Sequence, residues 1–451
     1  MEKNRSLRHY FFIGSLVFGL FFGAGNLIFP VHLGQVAGHN LWQANLGFIL
    51  TGVGLPFLGL LAIALSQVQG VFDLAQRVSR PFAYFFTVVL YLVIGPFFAM
   101  PRLATTSFQI GLAPFLAPQH QTLALMIFSL LFFSLSFLLA LRPAKLLDYI
   151  GKYLNPTFLI LLTVLLVATF VHPLGSVSGA AVQVAYQQQA FLQGFRDGYS
   201  TLDALAAIAF GAIIIENLRS LGFQKAQDVT KAMIKGGSIA VVAMIVIYSC
   251  LALAGTLSLG QFPLSENGGI ALAQIAQEHL GLFGSVLLAL IVIVACFKTS
   301  IGLATAVAEA FHEMFPQLPY RFYLTTACVL PAIFANVGLT KLIELSIPVL
   351  MFIYPLAMVL ILLTLIDPGH RLTPRVYQIT LVFTLVAACM DAINAFPSSW
   401  SLRAQLAGLL ASANHWLPFF NHGFGWLIPA LVGFAFALLL GRLTQSRRIQ
   451  N

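Results

Sequence analysis

Apolar residues run along this chain in blocks, each about as long as the ~20 residues a helix needs to cross the ~30 Å hydrocarbon layer of a bilayer. The blocks predict helices over 10–33, 42–65, 81–109, 121–141, 153–171, 194–217, 233–255, 281–311, 321–337, 342–366, 375–394 and 424–441. The sequence has no long strands of alternating apolar and polar residues, the mark of a membrane barrel. The first block follows a short basic segment, as in a signal peptide. Its apolar stretch is too long for one, and Asn26 and Pro30 make no small-residue cleavage site. It reads as the first spanning helix. Between 256 and 280, Gly268-Gly269 precede Ile270, Leu272, Ile275 and Ala276. That spacing fits either a short amphipathic helix over the outer face or a solvated linker.

Composition agrees with the blocks. Of 451 residues, 59% are hydrophobic and 8% charged, against about 25% charged in a soluble domain. The reading is an all-helical integral membrane protein. Cys250, Cys296, Cys328 and Cys389 each sit inside an apolar run without metal-ligand spacing, as small buried hydrophobes do. His172, His312 and His422 lie at helix ends, again without metal spacing. No cofactor is expected, and no obligate protein partner is evident.

The net charge of +9 follows from topology. With the N-terminus inside, the inner segments hold Lys3, Arg5, Arg8, Arg77, Arg80, Arg142, Lys145 and Lys152. They also hold Arg219, Lys225, Lys231, Lys235, Arg321, Arg371, Arg375, Arg442, Arg447 and Arg448. The outer loops hold only Lys341 and Arg403, an 18-to-2 bias. Basic residues favour the cytoplasmic side, and one missed helix would invert every later loop. Both termini are therefore expected in the cytoplasm. The balance does not argue for a nucleic-acid partner.

In hydrocarbon, irregular backbone survives only where it lines a cavity or is buried in protein. The first predicted helix contains Gly23-Ala24-Gly25-Asn26, closed by Pro30. Glycine leaves the backbone unconstrained and Asn tolerates turns, so this favours a break; close packing of small residues is the alternative. The sixth helix offers Ala209-Phe210-Gly211-Ala212, and the triplet Phe-Gly-Ala recurs in both. Corresponding glycine-interrupted helices in two halves point to a transporter site. Such a break presents N–H groups and a positive dipole end to a carboxylate. It also presents free carbonyls to an ammonium group or a cation. One broken pair can thus hold both ends of a zwitterionic amino acid, with Leu, Ile, Phe and Ala around it for an aliphatic side chain.

Six stretches carry a family resemblance: FGAGNLIFP at 22–30, GFILTGVGLP at 47–56, YLVIGPFFAMPRLATTSF at 91–108, RPAKLLDYIG at 142–151, GYSTLDALAAIAFG at 198–211 and CFKTSIGLATAVAEAF at 296–311. Through them the chain resembles the branched-chain amino acid:cation symporters, the bacterial system II carriers of the amino acid-polyamine-cation superfamily, over nearly its whole length. The resemblance implies a leucine-transporter-like fold in one transmembrane domain over 1–451. Its parts would be a five-helix repeat at 10–171, an inverted repeat at 194–366 and two further helices at 375–441. It implies import of leucine, isoleucine and valine across the bacterial inner membrane, driven by Na+ or H+. Carried over, it makes Gly23, Ala24, Gly25 and Asn26 an unwound first helix and Ala209, Phe210 and Gly211 an unwound sixth, with Phe210 a candidate lid. The sodium position of this fold would fall to the carbonyls of Gly19 and Phe22 with Lys298, Thr299 and Ser300.

Lys298 departs from the pattern, since the family usually has Thr there. A charge near a helix centre costs roughly 2.5–3.5 kcal/mol on insertion scales, so it needs a reason. Either its ammonium occupies the sodium position, making the carrier proton-coupled or sodium-independent, or it forms a structural ion pair with Asp203 or Glu309. Arg102 follows Pro101 and is read as a partner to a backbone carbonyl, with substrate contact or a proton or gating role as the alternatives. Asp203 is read as a proton carrier or a helix-start residue. Glu216 and Glu309 lie near inner helix ends, and Asp391 lies beyond the first ten helices. No nucleotide-binding glycine loop, HExxH or GxSxG motif is present, so no enzyme is expected. An amino acid receptor on the same fold, a carrier of other small aliphatic amino acids, and a channel are the alternatives. For a channel, the sequence shows no filter motif or charged ring.

Overall fold

The structure is a computed structural model describing residues 7–68, 70–141, 155–369, 371–397 and 400–450, with side chains for 9–68, 70–141, 156–369, 371–397 and 400–441. Lys3, Arg5, Arg142, Lys145 and Lys152, and with them the stretch 142–151, lie outside the described residues.

Among the described residues every regular element is a helix. Long apolar runs with their polar backbone paired internally have no other form in lipid except a closed barrel. In chain order the helices are α1 (Leu7–Phe21), α2 (Ala24–Ala37), α3 (Leu41–Ile49), α4 (Leu55–Ser66), α5 (Val71–Gln76), α6 (Arg80–Leu92), α7 (Ala99–Gly111), α8 (Gln121–Ala140), α9 (Asn155–Val171) and α10 (Val184–Gln187). They continue as α11 (Ala190–Asp197), α12 (Asp203–Ser220), α13 (Ala226–Ser258), α14 (Gly268–Met314), α15 (Tyr320–Phe334), α16 (Leu339–Ile366), α17 (Pro374–Asn394), α18 (Ser401–Gln405), α19 (Ala407–Trp416) and α20 (Leu427–Gln450). Seven helical segments of the described residues are long and apolar enough to cross a membrane. An eighth is a bent pair, Ala190–Thr201 with Asp203–Ser220, at 43°. Three shorter apolar helices are His9–Phe21, Pro156–Val171 and Leu427–Gly441. Leu130, Leu131, Leu138, Val171 and Ile333 are each about 60% exposed, an apolar belt that belongs against lipid.

The segment before the eighth predicted helix is itself helical. α14 starts at Gly268, where the Asn267 side chain accepts from the amides of Gly269 and Ile270, and turns at Gly281 (φ 57°, ψ −142°). Positive φ is the reason glycine stands there.

Glycines set the closest helix contacts. A Cβ on Gly14 would lie 2.9 Å from the Gly236 carbonyl, and one on Gly236 would collide with Ile13 Cγ2, so α1 meets α13 backbone to backbone. Farther along, Gly34 and Gly255 bring α2 onto α13, where each Cβ would fall on a carbonyl oxygen of the other helix. Gly47 and Gly194 do the same between α3 and α11. Gly211 of α12 faces Ile63 of α4, 2.9 Å from the position of a Cβ. Without a hydrophobic driving force between helices in lipid, such close van der Waals packing is what holds them together. At Gly211, where the sequence was read as a break, the structure has this close packing instead.

Candidate functional site

The first break lies at Phe22–Gly23. Phe22 N–H still bonds the Phe18 carbonyl at 2.8 Å. Gly23 is extended (φ −120°, ψ −155°) and α2 begins at Ala24. The Gly23 amide donates to Asn26 Oδ1 at 2.8 Å, so Asn26 caps the helix from inside its first turn. Gly23, Ala24, Gly25 and Asn26 are thus brought to the break, but only Gly23 lies outside regular helix. The rest form the first turn of α2, whose N–H groups have no intrahelical partners. A Cβ on Gly23 would sit 3.2 Å from Thr299 Oγ1, and Thr299 in turn donates to the Phe22 carbonyl at 3.4 Å.

The second break is displaced from its sequence-based position. Ala209, Phe210 and Gly211 belong to the uninterrupted helix α12, so the expected unwinding there is incorrect. The chain breaks about two turns earlier, in a tight turn over Gly198–Thr201 followed by Leu202 in the left-handed conformation (φ 66°, ψ 5°). A non-glycine residue held there costs about 1–2 kcal/mol, which buried packing must over-determine. Thr201 supports the turn, accepting from the Asp203 amide at 3.3 Å and donating to the Gly198 carbonyl at 2.9 Å. Alanine-rich sequence after Asp203 favours helix, and Gly211 serves packing against Ile63. Phe210 is buried 6.5 Å from Phe21 in a near-parallel stack. It does not line the cavity described below, so the lid assignment is also corrected.

A third break was missed by the sequence reading. The helix predicted over 81–109 is interrupted between α6 and α7, where Gly95 is non-helical (φ −92°, ψ −115°) before Pro96. The Gly-Pro pair was the available signal, because proline removes a backbone donor and restricts the residue before it.

All three breaks meet at one small cavity of about 30 Å³, lined by Phe21, Gly23, Ala24, Gly25, Asn26, Ile94, Ala99, Arg102, Leu103, Thr201, Leu202, Asp203, Ala206 and Leu303. That is room for about one water. Its polar wall is a buried network. Asn26 Nδ2 donates to Asp203 Oδ2 at 2.5 Å and also to the Tyr248 hydroxyl, which donates to Asp203 Oδ2 at 2.9 Å. Asp203 opens α12, where a carboxylate is favoured by the helix dipole. Arg102, 2% exposed, donates to the Ser200 carbonyl at 2.6 Å and to Ser346 Oγ at 3.0 Å. It holds the turn of the second break, the backbone role expected of it, while its side chain walls the cavity.

The expected cation position is partly assembled. Thr299 reaches the Phe22 carbonyl. Ser300 points away, 3.0 Å from Ser136 Oγ. Gly19 is buried within α1. Lys298 is fully buried with its ammonium over the rings of Phe18 and Phe158, at 5.6 and 5.1 Å from their centroids. Neither ion pair proposed for it, with Asp203 or with Glu309, is formed among the described residues: Asp203 is engaged by Asn26 and Tyr248, and Glu309 lines a separate cavity. Asp391 accepts from the amides of Gly425 and Trp426 at 3.2 and 3.1 Å, fastening the segment before α20 to α17. Among the described residues no group of three His, Cys, Asp or Glu could hold a metal ion.

The sequence matches the family of branched-chain amino acid transport proteins over residues 6–444. The chain belongs to this family. It is 42% identical to the branched-chain amino acid permease BrnQ of Lactobacillus delbrueckii subsp. lactis, over 96% of this chain and 97% of that protein. It is 41% identical to BrnQ of Bacillus subtilis (96% and 97% covered) and 36% identical to the branched-chain amino acid transport system 2 carrier protein of Pseudomonas aeruginosa (97% and 97% covered). As a member of a family of permeases and carriers, the chain is a membrane transport protein and not an enzyme. Its fold is that of Mhp1, a nucleobase-cation-symport-1 transporter, whose closed form with bromovinylhydantoin bound aligns with a TM-score of 0.61 at 13% identity over 96% of this chain and 93% of that one. A mutant form of the manganese transporter of Eremococcus coleocola aligns with a TM-score of 0.60 at 13% identity, covering 97% of both chains.

Proposed function

We propose that the chain is a secondary active transporter importing leucine, isoleucine and valine, with the substrate held at the small cavity where the breaks meet. The observation that carries this reading is the convergence of three broken helices on one buried cavity walled by Asp203 and the first turn of α2. The amides opening α2 offer donors to a carboxylate. Asp203 offers its charge to an ammonium group, and Phe21, Ile94, Leu103 and Leu303 surround an aliphatic side chain. Gly23, Ala24, Gly25 and Asn26 then bind substrate, and Arg102 positions the second break. A cavity of this size holds no leucine, so loading requires the walls to part. Ala209, Phe210 and Gly211 contribute through helix packing rather than contact.

The architecture proposed is an inverted repeat of five and five spans, over 10–171 and 194–366, with two spans at 375–441 and both termini in the cytoplasm. The glycine contacts support it. In the first repeat α1 and α2 pack on α13, the second span of the other repeat. In the second repeat α11 and α12 pack on α3 and α4, which form the second span of the first. Each broken helix thus lies along the span that follows its counterpart, as an inverted pair demands.

For coupling, we read the Lys298 ammonium, held against Phe18 of the first helix, as standing in for the sodium ion, with Thr299 on the Phe22 carbonyl beside it. Uptake is then proton-coupled or sodium-independent. Leucine uptake into proteoliposomes under an imposed sodium gradient, compared with a pH gradient in sodium-free buffer, tests this. Accumulation under the pH gradient is expected; accumulation under sodium alone would sink the role of Lys298. A receptor on the same fold would bind leucine without accumulating it. A channel would not exchange it against preloaded substrate.

A further inference from the structure

An open groove of about 710 Å³ runs between α8 and α15. Met126, Leu130, Phe133 and Phe137 line it from α8. Thr325, Val329 and Ala332 line it from α15, with Asn336 from the turn that follows. Both sets step by three and four residues, so each is one stripe along its helix. Phe133 and Cys328 are buried at the back of the groove, whereas Leu130, Leu138, Val329 and Ile333 are exposed along its rims. The two helices meet where the Ser129 hydroxyl donates to the Ala332 carbonyl at 3.4 Å. From Met126 to Leu138, α8 rises about 18 Å, close to the ~15 Å of one leaflet in a ~30 Å hydrocarbon layer.

The lining suits hydrocarbon. Ser129, Thr325 and Asn336 each donate to a backbone carbonyl, which leaves little for a polar ligand. A zwitterionic amino acid is disfavoured there, and water lacks the polar partners it needs. An unfilled groove would forfeit dispersion contacts along both helices, so within a bilayer an apolar chain fills it. One end of the groove is charged. Arg321 is exposed and stands four residues before Thr325, on the same face of α15. Beside it the Tyr320 hydroxyl donates to the Ala140 carbonyl at 3.4 Å, joining the start of α15 to the end of α8. A basic residue at the membrane surface attracts anionic headgroups. A second copy seated through the same face about a twofold axis would instead bring another Arg321 to the same depth, and the like charges repel.

We propose that this groove binds one anionic phospholipid, with an acyl chain laid between α8 and α15 and its phosphate at Arg321. By the topology proposed above, the lipid belongs to the cytoplasmic leaflet. A chain in the groove touches protein on its back and both sides, which sets it apart from lipid lying against the rest of the apolar belt. The assignment stands on the shape and charge of this face and holds whatever the chain carries.

Native mass spectrometry of the purified full-length chain in detergent tests it, with phosphatidylglycerol or phosphatidylcholine of the same acyl chains as the titrant. Ala332→Trp and Ser134→Phe fill the groove from opposite walls, Arg321→Gln removes the charge, and leucine binding reports that each variant is folded. In the wild type the first phosphatidylglycerol should bind about three- to tenfold more tightly than the first phosphatidylcholine. Either filling variant should weaken it at least about tenfold, and Arg321→Gln should lower it to the affinity of phosphatidylcholine. Equal affinities for the two lipids in the wild type overturn the proposal, as does a preference that survives Arg321→Gln. Undiminished binding in both filling variants also overturns it. Dimers that dissociate in the filling variants would place a second copy in the groove, with the same consequence. If Ala332→Trp loses leucine binding, Ser134→Phe decides: unchanged phosphatidylglycerol binding there overturns the proposal.

Discussion

Replacing Asp203 separates its structural work from its work on substrate. The carboxylate is 3% exposed and accepts from Asn26 at 2.5 Å and Tyr248 at 2.9 Å. In Asp203→Ala both donors lose this acceptor, and a buried donor left unsatisfied costs about 1–3 kcal/mol. Two of them give roughly 2–6 kcal/mol, and the enlarged cavity admits water, which recovers part of this. A loss of about 2–3 kcal/mol is expected. In Asp203→Asn the shape and one acceptor oxygen remain, but the charge is gone. A charge-assisted hydrogen bond is roughly twice as strong as a neutral one, so an ammonium partner loses about 1–1.5 kcal/mol, close to tenfold in affinity. The assay pairs thermal unfolding of the purified protein with the concentration dependence of leucine uptake into proteoliposomes. Asp203→Asn should unfold near the wild-type temperature with KM raised about tenfold, while Asp203→Ala should unfold earlier and transport nothing measurable. An Asp203→Asn carrier with wild-type KM would refute the carboxylate as the ammonium partner. So would one destabilised as much as Asp203→Ala, because the role would then be structural.

Three further outcomes are expected. Lys298→Thr, which puts a hydroxyl in place of the ammonium, should make leucine uptake respond to external sodium; unchanged, sodium-indifferent uptake would count against the cation stand-in. In Gly268→Ala the new methyl would collide with the Ile28 carbonyl, so the outer segment of α14 must lift off α2 at a cost of about 1–3 kcal/mol. Hydrogen exchange over 268–280 should accelerate about 5- to 150-fold, and an unaltered exchange pattern would show the contact to be unimportant. Arg102→Lys cannot reach both the Ser200 carbonyl and Ser346 from one ammonium. Hydrogen bonds to a charged group are worth about 1.5–3 kcal/mol, so uptake should fall about tenfold or more while exchange at 198–202 rises; a carrier with wild-type turnover would remove Arg102 from the mechanism.

What the sequence determined by itself is the class of structure and the neighbourhood of its site. Apolar runs of spanning length permit little but a helical bundle, because lipid offers no partner to an open backbone. Gly23 and Asn26 marked the first break for a local reason: a residue without a side chain beside an amide that caps its own helix. The second break had no such local signature. Leu202 occupies a left-handed backbone that its own side chain disfavours, and it is held there by contacts distant in sequence, Arg102 on the Ser200 carbonyl and Asp203 on Asn26 and Tyr248. The glycine at 211 drew attention to the wrong turn, since a glycine in a membrane helix serves a break or a close neighbour equally well. Only the position of Ile63 distinguishes them. The same holds for Lys298: the sequence exposed the cost of a charge at that depth, but aromatic faces from α1 and α9 as its surroundings are a fact of tertiary packing. Pattern determines which segments enter the membrane, whereas the place where a helix opens depends on what the rest of the chain puts beside it.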